Sequence, residues 1–241
     1  MSKRFWLILV IIIVALGLIF KFTDHNNGNS ANTSGNAQPT NHVEGSGSSG
    51  VTLVEYGDYE CPYCEEYYPV VKQIAAQYNQ QIFFQFRNLP LTQIHVNAFA
   101  GARAAEAASL QGQFWQMHDA LYDNQNQWVP ASNPESFFVG YAQKLGLNTT
   151  KFQSDYAGSA VNDSINADVA AFAKTGFQEA TPTFILDGKQ IQPSATVASF
   201  ESFINAEIAK KAGTTSTTPA PTNSTSGQSV QTSTTSNSTK N

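Results

Sequence analysis

The sequence predicts one α/β domain, a βαβ unit and a closing ββα unit separated by an inserted helical block. Three observations carry this. Two short apolar runs, 51–56 and 82–86, flank a stretch with helical spacing. An Ala-rich, helix-patterned region fills roughly 95–175. Near the end, Asp187-Gly188 separates two strand-like segments. Residues 51–212 contain all of these and are long enough to bury a core.

The leader comes first. Met1-Ser2-Lys3-Arg4 precedes an unbroken apolar run from Phe5 to Phe20, followed by Lys21. Basic residues ahead of such a run mark a segment that enters a membrane, with the charges kept on the cytoplasmic side. Residues 1–22 therefore read as a membrane anchor, a signal-anchor in a single-pass topology. The other reading is a cleaved signal peptide, which leaves a secreted or periplasmic protein. Its small-x-small site, Ala15-Leu16-Gly17, lies inside the apolar run. Either way the folded part is expected outside the cytoplasm. Residues 23–50 have no hydrophobic period and read as a disordered linker; 213–241, nearly all Ser, Thr, Asn, Gln and Pro, read as a disordered tail.

Within the domain, Val51 to Tyr56 is a β-rich run between Gly50 and Gly57. Tyr67, Val70, Val71, Ile74, Ala75 and Tyr78 then recur at spacings of three and four, one face of a helix. Pro62 suits its first turn, where no N–H is needed, and Pro69 is expected to bend it. Ile82 to Phe86, almost wholly apolar, suits a central strand covered on both faces. Helices are expected at Asn97–Leu110, Gln113–Tyr122, Glu135–Leu145 and Asn162–Lys174. Thr183 to Leu186 and Lys189 to Ile191 form a hairpin about Asp187-Gly188, and a helix over about Val197–Lys210 closes the domain.

Composition narrows the function. A formal charge of -5 argues against a nucleic-acid binder, which would present a basic face. The chain has two cysteines, Cys61 and Cys64, too few for a disulfide scaffold or a four-thiolate metal site. A zinc site would need two more ligands. His25, His42, His95 and His118 form no short paired motif, so no metal and no cofactor is expected.

The cysteine pair lies where the first strand hands over to the helix. A sulfur at the helix start lies near unpaired N–H groups and the positive dipole end, which favour thiolate. Cys61 is then the nucleophile, and Cys64, one turn deeper, attacks a mixed disulfide formed on it. Glu60, Glu65 and Glu66 oppose this by raising a nearby thiol's pKa unless solvent screens them.

Val51 to Cys64, ending in Cys61-Pro62-Tyr63-Cys64, resembles the opening of the DsbA-like thiol:disulfide oxidoreductases of the thioredoxin superfamily. Arg87-Asn88-Leu89-Pro90-Leu91, the Ala-rich helix, and Gln113-Phe114-Trp115 with His118 resemble the family's helical insertion. Ala180-Thr181-Pro182-Thr183-Phe184 resembles its cis-proline loop. The resemblance implies a thioredoxin fold with an inserted helical subdomain over 51–212. It implies Cys61 and Cys64 as the redox pair and Pro182 as the proline packed against them. Pro62, Tyr63 and Thr181 would border the substrate. Read without the family, Pro182 is a proline at a strand start. Glu55, six residues before Cys61, matches the family's buried acid and would take the Cys64 proton. The alternative is an exposed charge near a strand end.

One departure bears on direction. The family's strongest oxidant has His before its second cysteine, whereas this chain has Tyr63, so a less oxidising disulfide is expected. Some isomerases share the tetrad but dimerise through an added N-terminal domain, which residues 23–50 cannot supply. The expectation is therefore a monomeric donor of disulfides to reduced secreted polypeptides. Its reoxidation would fall to a membrane quinone reductase of the DsbB or vitamin K epoxide reductase type. A reductase or isomerase kept reduced by a membrane carrier, and a non-catalytic binding module, are the alternatives.

Overall fold

The computed structural model describes residues 37–215. The expected anchor at 1–22, the linker up to residue 36 and the tail beyond residue 215 lie outside them. No helix among the described residues is long and apolar enough to cross a membrane.

In chain order the elements are β1 (His42–Glu44), β2 (Val51–Gly57), α1 (Pro62–Gln77), β3 (Ile82–Asn88), α2 (Ala98–Ser109), α3 (Phe114–Asp123), α4 (Gln125–Trp128), α5 (Glu135–Lys144), α6 (Thr149–Ala157), α7 (Ser159–Ala173), β4 (Thr183–Leu186), β5 (Lys189–Ile191) and α8 (Val197–Thr215). The sheet order is β1-β3-β2-β4-β5. β2 and β3 run parallel, as their helical crossover requires, and the other pairs are antiparallel. This is a thioredoxin-like fold with helices inserted between β3 and β4. α1 runs on through Pro69. Asp187 and Gly188 both have positive φ, 46° and 80°, as the tight hairpin demands. Helices α4 and α6 were not legible as separate elements.

Residues 23–50 were expected to be a linker throughout, and that needs correction. His42–Glu44 add a strand to the far edge of β3, pairing His42 with Phe86 and Glu44 with Phe84. The serines that follow donate hydrogen bonds to the α1–β3 turn: Ser46 N to Asn79 O, Ser49 N to Gln81 O, and the Ser48 hydroxyl to Gln80 O. His42 is likewise no linker residue. Its ring stacks on Phe114 at 3.4 Å and its Nε2 lies 2.9 Å from Glu106. At the entry to this segment the buried Asp168 carboxylate accepts from the Thr40 amide and hydroxyl and from the Asn88 amide. Three residues make too short a strand for a periodicity to show, and hydrophilic Ser and Gly satisfy backbone groups here without any apolar signal.

The two sheet faces bury different partners. Val51 and Leu53 of β2, Phe84 of β3 and Phe184 and Leu186 of β4 pack with Val71 and Ile74 of α1 and Phe200 and Ile204 of α8. Tyr56 and Ile185 point the other way, against Phe172 of α7. A third cluster joins the helical insertion to the cysteine pair through Tyr59, Tyr68, Phe86 and Tyr122. The strand alternation that directs Leu53 towards α1 directs Glu55 there too.

Candidate active site

The site begins in a turn. The Cys61 amide donates to the Asp58 carbonyl at 3.1 Å, which closes the turn after β2 and delivers Cys61 to the N-cap of α1. Its carbonyl accepts from Glu65 N, so Cys61 already belongs to the helix ladder while its side chain lies off the helix start. Pro62 follows at the first helical position without breaking a bond. Cys64, one turn on, is fully buried, and the Asp58 amide donates to its sulfur at 3.5 Å.

Both cysteines are free of a disulfide, and their environments push their pKa values apart. The Cys64 thiol hydrogen-bonds to the Cys61 sulfur and lowers the Cys61 pKa to about 6. Burial acts against this, and the amides of Cys64 and Tyr63 at the helix start add to it. Cys64 is pushed well up, first by burial and then by the same hydrogen bond and the Cys61 charge. At neutral pH one sulfur is thus a thiolate and its neighbour a thiol. Glu65 and Glu66 are exposed, and the Glu60 carboxylate is engaged by the Asn97 amide.

Cys61 itself is only 3 % exposed. Its thiol reaches the Thr181 carbonyl at 3.4 Å, so the Thr181–Pro182 segment lies directly over it. The Thr181–Pro182 peptide is cis. β5 ends at Ile191 opposite Phe184, so no strand among the described residues covers that side of Thr181–Thr183. Tyr63, 64 % exposed, stands beside the pair. The structure therefore brings Cys61, Pro62, Tyr63, Cys64, Thr181 and Pro182 to one place.

Glu55 lies beneath them rather than beside them. It is 3 % exposed, which removes the reading as an exposed strand-end charge. Burial, and secondarily the Cys61 charge, raise its pKa to about 8. Asp58 is a residue that sequence reasoning missed. Its buried carboxylate accepts from the Glu60 and Leu91 amides and meets His95 Nδ1 at 2.7 Å, clamping the active-site turn to the loop before α2. An acid three residues ahead of Cys61 was the available signal. Among the described residues no group of side chains could hold a metal ion.

A pair of thiols of opposed pKa, at the start of the first helix of this fold, defines the thioredoxin class of thiol:disulfide oxidoreductases. A family model described as thioredoxin matches residues 37–206, beginning ahead of β1. The chain belongs to that family, in its DsbA-like branch. A thioredoxin-like oxidoreductase from Silicibacter pomeroyi superposes with a TM-score of 0.57 at 26 % identity, over 70 % of this chain and 93 % of that one. BdbD from Bacillus subtilis shares the fold, with a TM-score of 0.62 at 21 % identity over 72 % and 97 % of the two chains. Among curated proteins, a Na(+)/H(+) antiporter NhaA 1 from Salinispora arenicola is 36 % identical over 168 residues, which are 70 % of this chain. The chain spans about a quarter of that relative's length, 25 %.

Proposed function

We propose that this protein oxidises protein thiols outside the cytoplasm by donating the Cys61–Cys64 disulfide to reduced secreted polypeptides. A substrate thiolate attacks Cys61, the Cys61–Cys64 bond breaks, and Cys64 leaves with the bonding pair. Glu55, as the neutral acid, supplies the proton that Cys64 takes up. A second substrate thiolate then attacks the substrate sulfur of the mixed disulfide, and Cys61 departs as a thiolate. The substrate has gained a disulfide and the protein holds the Cys61 thiolate and the Cys64 thiol.

The observation that carries this reading is the placement of Cys61 at the helix N-cap beneath the Thr181 carbonyl. A low-pKa sulfur is a good leaving group, so donation is favoured. The uncovered edge at Thr181–Thr183 offers backbone to an extended substrate, with Pro62 and Tyr63 as neighbours. We further infer that residues 1–22 anchor a monomer in the cell membrane with this domain outside. A membrane quinone reductase of the DsbB or vitamin K epoxide reductase type would reoxidise it there. Similarity to a stretch of a membrane antiporter supports a membrane setting.

The test uses the oxidised full-length protein and a reduced, unfolded secreted substrate. Wild type is expected to form substrate disulfides and Cys61→Ser to form none; equal yields would end the proposal. The equilibrium potential against glutathione separates donor from reductase. A value towards about -120 mV supports donation, and one near about -270 mV supports the reductase.

A further inference from the structure

Glu55 must recover or release a proton in every cycle, yet it is buried beneath the sulfurs and its carboxyl makes no hydrogen bond among the described residues. It does line a cavity of about 510 Å³ between α1, α3 and the sheet. The same cavity is lined by His118, Lys72 and Asp119. Lys72 and Asp119 have side chains 53 % and 36 % exposed and so mark its solvent side. Most of its wall is apolar, but Glu44, Glu55, Lys72, His118 and Asp119 give it polar points, and it is roomy enough for waters to bridge them.

His118 lines the same cavity as Glu55 and neighbours Asp119 on its solvent side. Its ring is caged by Tyr59, Tyr68, Phe86, Phe114, Trp115 and Tyr122, with centroids 4.9–6.1 Å away. Such a cage fixes the ring's orientation. Nδ1 faces Asp119 Oδ1 at 3.4 Å, and Asp119 Oδ2 in turn receives a hydrogen bond from Lys72 Nζ at 2.8 Å. Nε2 is buried and has no hydrogen-bond partner among the described residues. A hydrogen on Nδ1, where Asp119 can accept it, leaves the Nε2 lone pair free. A buried nitrogen without a partner is costly in a merely structural residue.

We propose that His118, oriented by Asp119, relays protons between Glu55 and solvent across this cavity. The inference rests on the exchange chemistry above and deepens it. During reoxidation the Cys64 thiol gives its proton to the Glu55 carboxylate. Glu55 passes it over cavity water to Nε2, and the imidazolium, held by Asp119, releases it to water on the open side. No electrons move, and one proton leaves for each one taken from Cys64. During donation the same steps run inward. Burial keeps the His118 pKa below its usual value, with Asp119 opposing, so the ring is neutral at pH 7 and able to accept. The titratable groups around it are Glu55 on β2, Tyr59 in the turn after β2, Tyr68 and Lys72 on α1, Asp119 and Tyr122 on α3, and His42 and Glu44 on β1.

The experiment is single-turnover oxidation of a reduced dithiol peptide by the full-length protein, across pH. His118→Ala is expected to slow the step at least about tenfold, a relay's share of the roughly 10²–10⁴ that acid–base catalysis supplies. Added imidazole at constant pH should restore the rate, while the equilibrium potential stays at the wild-type value. A rate equal to wild type, or a loss that imidazole does not repair, would overturn the relay. Asp119→Asn keeps the ring and its aromatic cage and covers the case in which His118→Ala does not fold. It should move the pH–rate profile to lower pH, and an unmoved profile overturns the relay. If wild type itself fails to oxidise the peptide, the proposed function falls and takes this inference with it. If wild type works and His118→Ala matches it, only the relay falls.

Discussion

Replacing Cys64 by Ala should raise the pKa of Cys61, because the Cys64 thiol is the largest influence holding that pKa near 6. A hydrogen bond to a charged group is worth about 1.5–3 kcal/mol, or about one to two pKa units. The midpoint should therefore rise to about 7–8. At pH 7 the thiolate fraction would drop from about nine-tenths to between about one-half and one-tenth. Cys64→Ser keeps a donor at that position and should titrate close to the wild type. The assay is the ultraviolet absorbance of the thiolate in the reduced proteins as a function of pH, with the rate of alkylation as a second reading. The reasoning fails if Cys64→Ala titrates with the wild-type midpoint, or if Ser and Ala raise it equally. The helix end rather than the neighbouring thiol would then govern Cys61.

Further expectations follow from other groups. Glu55 has a raised pKa, so ionising it costs stability as pH climbs from its unfolded value of 4.5 to about 8. Glu55→Gln should therefore stabilise the fold by on the order of 3 kcal/mol at pH 7 and by little at pH 4, measured by urea unfolding, while slowing exchange. In the reduced protein the lowered Cys61 pKa works the opposite way. Its stabilisation is complete above the ordinary thiol value of 9.0 and fades as pH falls towards about 6, so unfolding of wild type and Cys61→Ser should converge in acid. Asp168→Ala leaves the Thr40 and Asn88 amides unpaired in a buried place and should cost on the order of 3 kcal/mol. Amide hydrogen exchange should then quicken first in β1. A Cβ on Gly57 would sit 2.5 Å from the Phe86 ring, so Gly57→Val should lower the melting temperature markedly.

The parts that were legible in the sequence are those with long periodic signals. The α1 face, the two apolar strands and the Asp187-Gly188 turn each repeat one physical pattern over several residues. The cysteine pair was legible because spacing and position in the βαβ unit carry its chemistry. Glu55 is placed inward by the resemblance, with an exposed strand-end charge as the alternative, and the alternation that puts it on the face of Leu53 agrees with the buried position. What could not be read are contacts between distant positions. Nothing local marks Asp58 as the acceptor for Leu91 and His95, or Asp168 as the acceptor for Thr40. His118 stood out only as part of a helix pattern, because its aromatic cage draws on residues from 59 to 122. The cover that Thr181 gives Cys61 comes from a segment 120 positions away.

The short strand ahead of Val51 has a practical consequence for anyone trimming the chain. A fragment cut to begin at Val51 would strip the outer flank from Ile82–Asn88 and leave its amides and carbonyls open to another molecule's backbone. That flank is rich in phenylalanine and nearly uncharged, the kind of edge that recruits copies of itself into aggregates. Starting upstream of Thr40 keeps the edge capped, so the Ser- and Gly-rich lead-in protects solubility as well as serving as a connector.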